Sequence, residues 1–152
     1  MSLEKHEKFM LIAIKEAEKA YKKGEIPIGA IAVLEEHILA KGHNEVISKN
    51  DSTAHAEIIV LRKASKRLKN YRLEDVTLYV TVEPCIMCYS ALVNARIKAL
   101  YFGASSDKWG YMTKFGLDSS FYNHNIKVYG GILSYQSEQI LKNFFKEKRQ
   151  KY

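Results

Sequence analysis

Apolar spacing divides the chain into alternating helical and extended segments. Phe9, Met10, Ala13, Ile14, Ala17, Ala20 and Tyr21 recur every three or four residues and predict a first helix ending at Gly24. Ile28–Leu34 is an almost unbroken apolar run. His37–Gly42 follows after a short turn, and the two read as strands. Thr53 is placed to cap a second helix running to about Leu68, with Ile58, Leu61, Ala64 and Leu68 facing inward. Thr77–Val82 alternates as a strand does. Pro84 then fits the first turn of a third helix reaching about Asn94. Ile97–Phe102 and Ile126–Tyr129 read as further strands, and Ser105–Asn125 has no regular period. From Ser134 a last helix turns Ile140, Leu141, Phe144 and Phe145 inward. The order α-β-β-α-β-α-β-β-α predicts an α/β fold with one sheet and helices on its faces.

Composition adds limits. The 152 residues, 47% apolar and 27% charged, suit one globular domain spanning 1–152, with no linker-like stretch and no repeat. The seven-residue run Ile28–Leu34 is far short of the roughly 20 needed to span a bilayer. Met1-Ser2-Leu3-Glu4-Lys5-His6 lacks the apolar core of a signal peptide. A cytoplasmic protein without a membrane partner is the expectation. The only two cysteines, Cys85 and Cys88, are too few and too close for a disulfide scaffold. A reducing compartment leaves them free for metal or redox work.

Charge points to a partner. The formal net charge is +7. Arg62, Lys63, Lys66, Arg67, Lys69 and Arg72 form a run without acids, and Lys142, Lys146, Lys148, Arg149 and Lys151 outnumber Glu138 and Glu147 near the C-terminus. Such a balance favours a polyanion, nucleic acid above all, although a solvated helix face gives the same pattern. Trp109 and the ten tyrosines offer surfaces for base stacking, while a core or surface role fits most of them.

The candidate chemistry lies in two words, His55-Ala56-Glu57 and Pro84-Cys85-Ile86-Met87-Cys88. Each sits at the start of a predicted helix, where partial positive charge favours thiolate. Cys85 and Cys88, at i and i+3, share a helix face. One imidazole and two thiolates give zinc three ligands and leave a fourth position for water, the arrangement of a catalytic site. Glu57 is then free to move that water's protons. A C-x-x-C pair also suits a redox dithiol, or half of a structural zinc site completed by His43, His37 or His124. Neither alternative gives Glu57 a task. His6 and His37 read as surface residues and His43 as a strand end.

At these words the sequence resembles the cytidine deaminase-like superfamily of zinc hydrolases, whose nucleobase deaminases carry H-x-E and P-C-x-x-C. More closely it resembles the bacterial tRNA-specific adenosine deaminases, the TadA family. That likeness runs through Glu25-Ile26-Pro27-Ile28-Gly29-Ala30, His43-Asn44, Thr53–Ile58, Asn70-Tyr71-Arg72-Leu73, Thr77–Cys88, Phe102-Gly103-Ala104, Asn123-His124 and Phe144-Phe145. The resemblance implies a three-layer α/β/α sandwich around a central five-stranded mixed sheet, assembled as a homodimer. It implies one Zn²⁺ per subunit with a bound water or hydroxide, held by His55, Cys85 and Cys88, with Glu57 as catalytic acid and base. Asn44, the Ala56 amide and Pro84 would contact or shape the substrate. The implied reaction is hydrolytic deamination of adenosine to inosine at the wobble position of a tRNA anticodon stem-loop. Two departures stand out. Ser106 occupies a position where that family commonly has Asp. Gly116–Phe121 resembles a segment of bacterial guanine deaminases, with Ser119 in place of a second acid. A free-base or nucleoside deaminase acting on guanine or cytosine is therefore the alternative.

Overall fold

The computed structural model describes residues 2–150, so Lys151 of the C-terminal basic run lies outside the described residues. Helix α1 spans Leu3–Lys22 and begins six residues before Phe9, because the Ser2 hydroxyl caps it by accepting from the Lys5 amide. Strands β1 (Gly29–Leu34) and β2 (His37–His43) form a hairpin. Helix α2 (Ala56–Leu68), strand β3 (Thr77–Val82) and helix α3 (Ile86–Asn94) follow. Strands β4 (Ala99–Ala104) and β5 (Lys127–Tyr129) and helix α4 (Ser134–Gln150) complete the fold. The five strands form one mixed sheet in the order β2-β1-β3-β4-β5. β1 is antiparallel to both its neighbours, whereas β3, β4 and β5 run parallel.

Alternation along the strands builds two cores. Ala30, Ala32, Leu78, Val80, Leu100 and Phe102 face α2 and α3, while Ile31, Val33 and Tyr79 face α1. α4 lies on the α1 side against β4 and β3, which makes the sandwich three-layered. The buried stripe of α2 is Ala56, Val60, Leu61 and Ala64 with Ile59, so Ile58 is only partly covered and Leu68 is exposed. In α4 only Ser137 and Phe144 are fully buried, leaving Ile140, Leu141 and Phe145 half-covered. His6 is not a free surface residue. It stacks on Tyr101 at 4.1 Å, and its Nδ1 lies 2.7 Å from the Tyr79 hydroxyl.

Gly29 sets how closely α1 approaches the sheet. A Cβ there would collide with the Ala13 carbonyl oxygen and the Ala17 amide, both helix backbone that cannot yield without moving α1. Gly29→Ala is expected to destabilise the fold by at least about 1–3 kcal/mol, the usual range for overpacking, as read from the denaturation midpoint. An unchanged midpoint would contradict this packing.

Candidate active site

Two helix N-termini meet beside the carboxyl end of β3. His55 is the N-cap of α2, Cys85 is the N-cap of α3, and Cys88 lies in the first turn of α3. The sequence placed the α2 cap at Thr53 and Pro84 in the first turn of α3, which puts His55 and Cys85 two positions further in; each helix starts later, and Thr53 instead bonds Asp51. As caps, His55 and Cys85 have extended backbone, and no side-chain capping hydrogen bond forms at either. Both imidazole and thiol are thus free to turn outward, and uncapped first-turn amides direct positive potential at the site.

His55 Nδ1 lies 3.6 Å from Cys85 Sγ and 3.4 Å from Cys88 Sγ. With metal–nitrogen bonds of about 2.0 Å and metal–sulfur bonds of about 2.3 Å, a tetrahedral angle would separate such atoms by about 3.5 Å. The three donors therefore fit one tetrahedral ion. No other His, Cys, Asp or Glu among the described residues joins the group. His43 is buried and its Nδ1 sits 3.1 Å from Glu16, while His124 donates from Nε2 to the Ile97 carbonyl at 2.7 Å. Each is engaged away from the cysteines, which leaves the fourth position of a bound ion open.

Charge within the group is already redistributed. The Cys88 thiol's hydrogen bond, with help from His55, holds Cys85 at about 4. Cys88 moves the opposite way, pushed well up by its bond to the Cys85 thiolate and by burial. His55 is raised by its hydrogen bond to Cys85. Glu57, in the first turn of α2, is buried, and that burial pushes its carboxyl up to about 7. A general acid and base works best with a pKa near the operating pH.

A cavity of ≈ 250 Å³ opens beside these groups, with apolar walls from Ile26, Ile28 and Trp109. This is below the roughly 300–1,000 Å³ of drug-sized sites and suits a single base. Asn44 and Ala56 also line it. Asn44 follows β2 and its amide donates to the Ile28 carbonyl at 3.0 Å. Its buried Oδ1 has no hydrogen-bond partner among the described residues. Such a group has a substantial cost unless a ligand satisfies it. Pro84 is buried but does not line the cavity. Its carbonyl accepts from the Tyr111 amide at 2.9 Å and fixes the turn before Cys85.

Glu83 has a larger part than its place beside Pro84 conveys. Buried at 1% exposure, it accepts from the amides of Ser106, Met112 and Thr113 at 3.0, 3.0 and 2.9 Å. Ser106 is also buried, and its hydroxyl accepts from the Trp109 amide at 3.1 Å. Within this structure that side chain serves the loop's own bonding. Glu25 acts likewise on the segment after Asn44, accepting from Ile47 and Ser48. The α2 basic run is partly structural. Lys63 and Arg67 donate to the Lys41 and Leu39 carbonyls of edge strand β2, and Arg67 stands about 16 Å along the helix from its start.

The fold, the His/Cys/Cys group and the buried Glu57 beside a base-sized cavity define a hydrolytic deaminase. The MafB19-like deaminase family matches residues 4–149. The tRNA-specific adenosine deaminase of Buchnera aphidicola subsp. Schizaphis graminum is 49% identical over 144 residues, covering 93% of this chain and 94% of that protein. A solved structure from studies of A-to-I editing by tRNA:A34 deaminases at the wobble position superposes with a TM-score of 0.83 at 40% identity, over 88% of this chain and 99% of that one. A guanine deaminase from Bacillus subtilis superposes at 0.63 with 43% identity, over 66% of this chain and 64% of that one. The chain belongs to the tRNA-specific adenosine deaminases, within the MafB19-like deaminases.

Proposed function

We propose that this chain converts adenosine to inosine at the wobble position of a tRNA anticodon. The observation that carries the reading is the likeness to tRNA-specific adenosine deaminases over most of the chain, joined to a base-sized cavity lined by Glu57 and by His55 and Cys85 of the His/Cys/Cys group. Residues 1–152 act as one deaminase domain. His55, Cys85 and Cys88 hold one Zn²⁺. Zinc held there would supply Lewis-acid chemistry, lowering the pKa of a water beside Glu57. Glu57 accepts a proton from the water as the bond to C6 of adenine forms. It returns that proton to N1, then takes up the proton of the new C6 hydroxyl and passes it to the amine, so that the C6–N bond breaks, a carbonyl forms and ammonia leaves. Asn44 and the Ala56 amide hydrogen-bond the base edge, and the unpartnered Asn44 Oδ1 is the acceptor awaiting it. Pro84 shapes the site by holding its turn to Tyr111.

The partner is a splayed anticodon loop, bound through phosphates and bases alike, in agreement with the net charge of +7. Ile86 and Met87, both more than a third exposed at the start of α3, lie next to the thiols, and Met112 is exposed beside Glu83. Apolar side chains displayed this close to a site support a homodimer that covers them. No helix among the described residues is long and apolar enough to cross a membrane, and the proposed location is the cytoplasm, with the tRNA.

Incubation with an A-containing anticodon RNA stem-loop, its DNA counterpart, guanine and cytosine tests the reading. Inosine is expected in the RNA stem-loop, with binding that weakens steeply as salt rises. Ammonia from guanine or cytosine with an unaltered stem-loop would replace it by the free-base alternative.

A further inference from the structure

Two cavities adjoin in this structure, and among the described residues Trp109 alone lines both. The first is the ≈ 250 Å³ base cavity over Glu57. The second is a groove of ≈ 570 Å³ between the 105–113 loop and α4. Lys108, Lys142, Arg149 and the Phe145 ring line the groove, together with Asp107 and Glu138. Glu138 is paired with Lys142 at 2.9 Å. The Lys108 ammonium lies over the Phe145 ring at 5.9 Å, so cation and aromatic surface already combine there.

The backbone that carries Trp109 is held in a built position. Its own amide donates to Ser106 Oγ, and the Ser106 amide donates to Glu83. On the far side of Trp109, the Met112 and Thr113 amides donate to the other Glu83 oxygen. One buried carboxylate thus clamps both ends of the turn. Gly110 lets the turn close onto it, because a Cβ there would strike the Glu83 carboxylate and the Ser106 carbonyl. Such a turn holds Trp109 as a wall.

A base seated over Glu57 fills the first cavity alone. In a polynucleotide the next nucleotide lies outside that cavity, and the adjoining groove offers it Trp109 with cations beyond. Aromatic rings beside a cationic groove are the surface on which single-stranded nucleic acid stacks. We infer that Trp109, positioned by Glu83, stacks on a nucleotide adjacent to the target base and so makes this chain select a base within a strand over a free base. The inference rests on the proposed nucleic-acid reading and adds the residue that enforces it.

Trp109 is the sole tryptophan, so its fluorescence reports the contact directly. An inosine-containing product stem-loop, which undergoes no turnover, should quench the wild-type emission. The same stem-loop with an abasic site immediately 5′ or immediately 3′ of the target should lose that quenching for one of the two. Trp109→Ala should raise KM for the adenosine stem-loop about 5- to 150-fold, the range covered by loss of one base–aromatic stack, with the loss mainly in KM and largely restored by Trp109→Phe. On the sensitive abasic substrate, wild type and Trp109→Ala should converge. Deamination of the stem-loop by wild type with unmoved emission, or an equal KM for Trp109→Ala, overturns this inference alone. A loss that persists equally on both abasic substrates overturns it too. A wild-type chain that leaves the adenosine stem-loop unaltered overturns the function proposed above, and this inference with it.

Discussion

Glu57→Gln is expected to lower the deamination rate by about 10²–10⁴-fold, the usual worth of a positioned general acid and base, while the protein keeps its metal. Glu57 is not among the clustered donor atoms, so its loss leaves the ion's protein ligands intact. Gln preserves the shape of the buried side chain and removes only the ability to shuttle protons. Metal analysis and single-turnover rates on the stem-loop read the two effects separately. Retention of full activity by the variant would remove Glu57 from the mechanism. The same substitution should reveal the strain of burying this carboxyl. In the metal-free chain its pKa rises from 4.5 to about 7, so the folded state keeps a proton that the unfolded chain releases. Unfolding free energy should therefore fall as pH rises through that window, by about 3 kcal/mol in total. Glu57→Gln should match the metal-free wild type near pH 4 and exceed it by about that amount near pH 8.

The donor group was legible in the sequence because each residue lies close along the chain to a helix start, where local rules apply. The strand Thr77–Val82 was legible for the same reason, and with it the delivery of Cys85 to the site. The sandwich and its mixed sheet came from the likeness of whole segments, since periodicity alone named one sheet and left its strand order open. What escaped was set by distant contacts. Ser105–Asn125 has no period because much of its order comes from one carboxylate, Glu83, more than twenty residues earlier. Trp109 was visible as a lone tryptophan, but nothing local says that it faces two cavities. The buried faces of α2 and α4 were misjudged at their margins, where coverage depends on neighbouring elements. The α2 charge run reads as a nucleic-acid patch until Lys63 and Arg67 are seen capping carbonyls of an edge strand. Edge carbonyls need such donors whatever the partner is.

Cys88→Ser is expected to empty the metal site and to reduce deamination by more than the roughly 10- to 100-fold that follows loss of an outer-shell partner. Serine keeps the size but replaces a soft thiolate with a poorly ionised hydroxyl, and zinc binds the thiolate form. Cys88 is fully buried in the first turn of α3, so no water can readily take the vacated corner without disturbing its packing. Elemental analysis should give far less than one metal per chain, with activity lost in proportion. A variant that holds its full metal complement and remains active would place the ligands elsewhere. Removing the metal from the wild-type chain with a chelator should have the same effect on activity and should expose unequal thiols. Cys85 is half-exposed and held at about 4, so it is thiolate across the working range. Cys88 is buried and shifted the other way, with the proton shared between the two sulfurs residing on it. Iodoacetamide should therefore modify Cys85 first, and mass spectrometry of the peptide carrying both cysteines should resolve the order. Protection of both thiols before chelation and reaction of Cys85 after it would tie the two sulfurs to the same ion, because a shared metal withdraws both nucleophiles at once. Equal reactivity with and without chelator would separate the pair from any metal and return it to the redox reading.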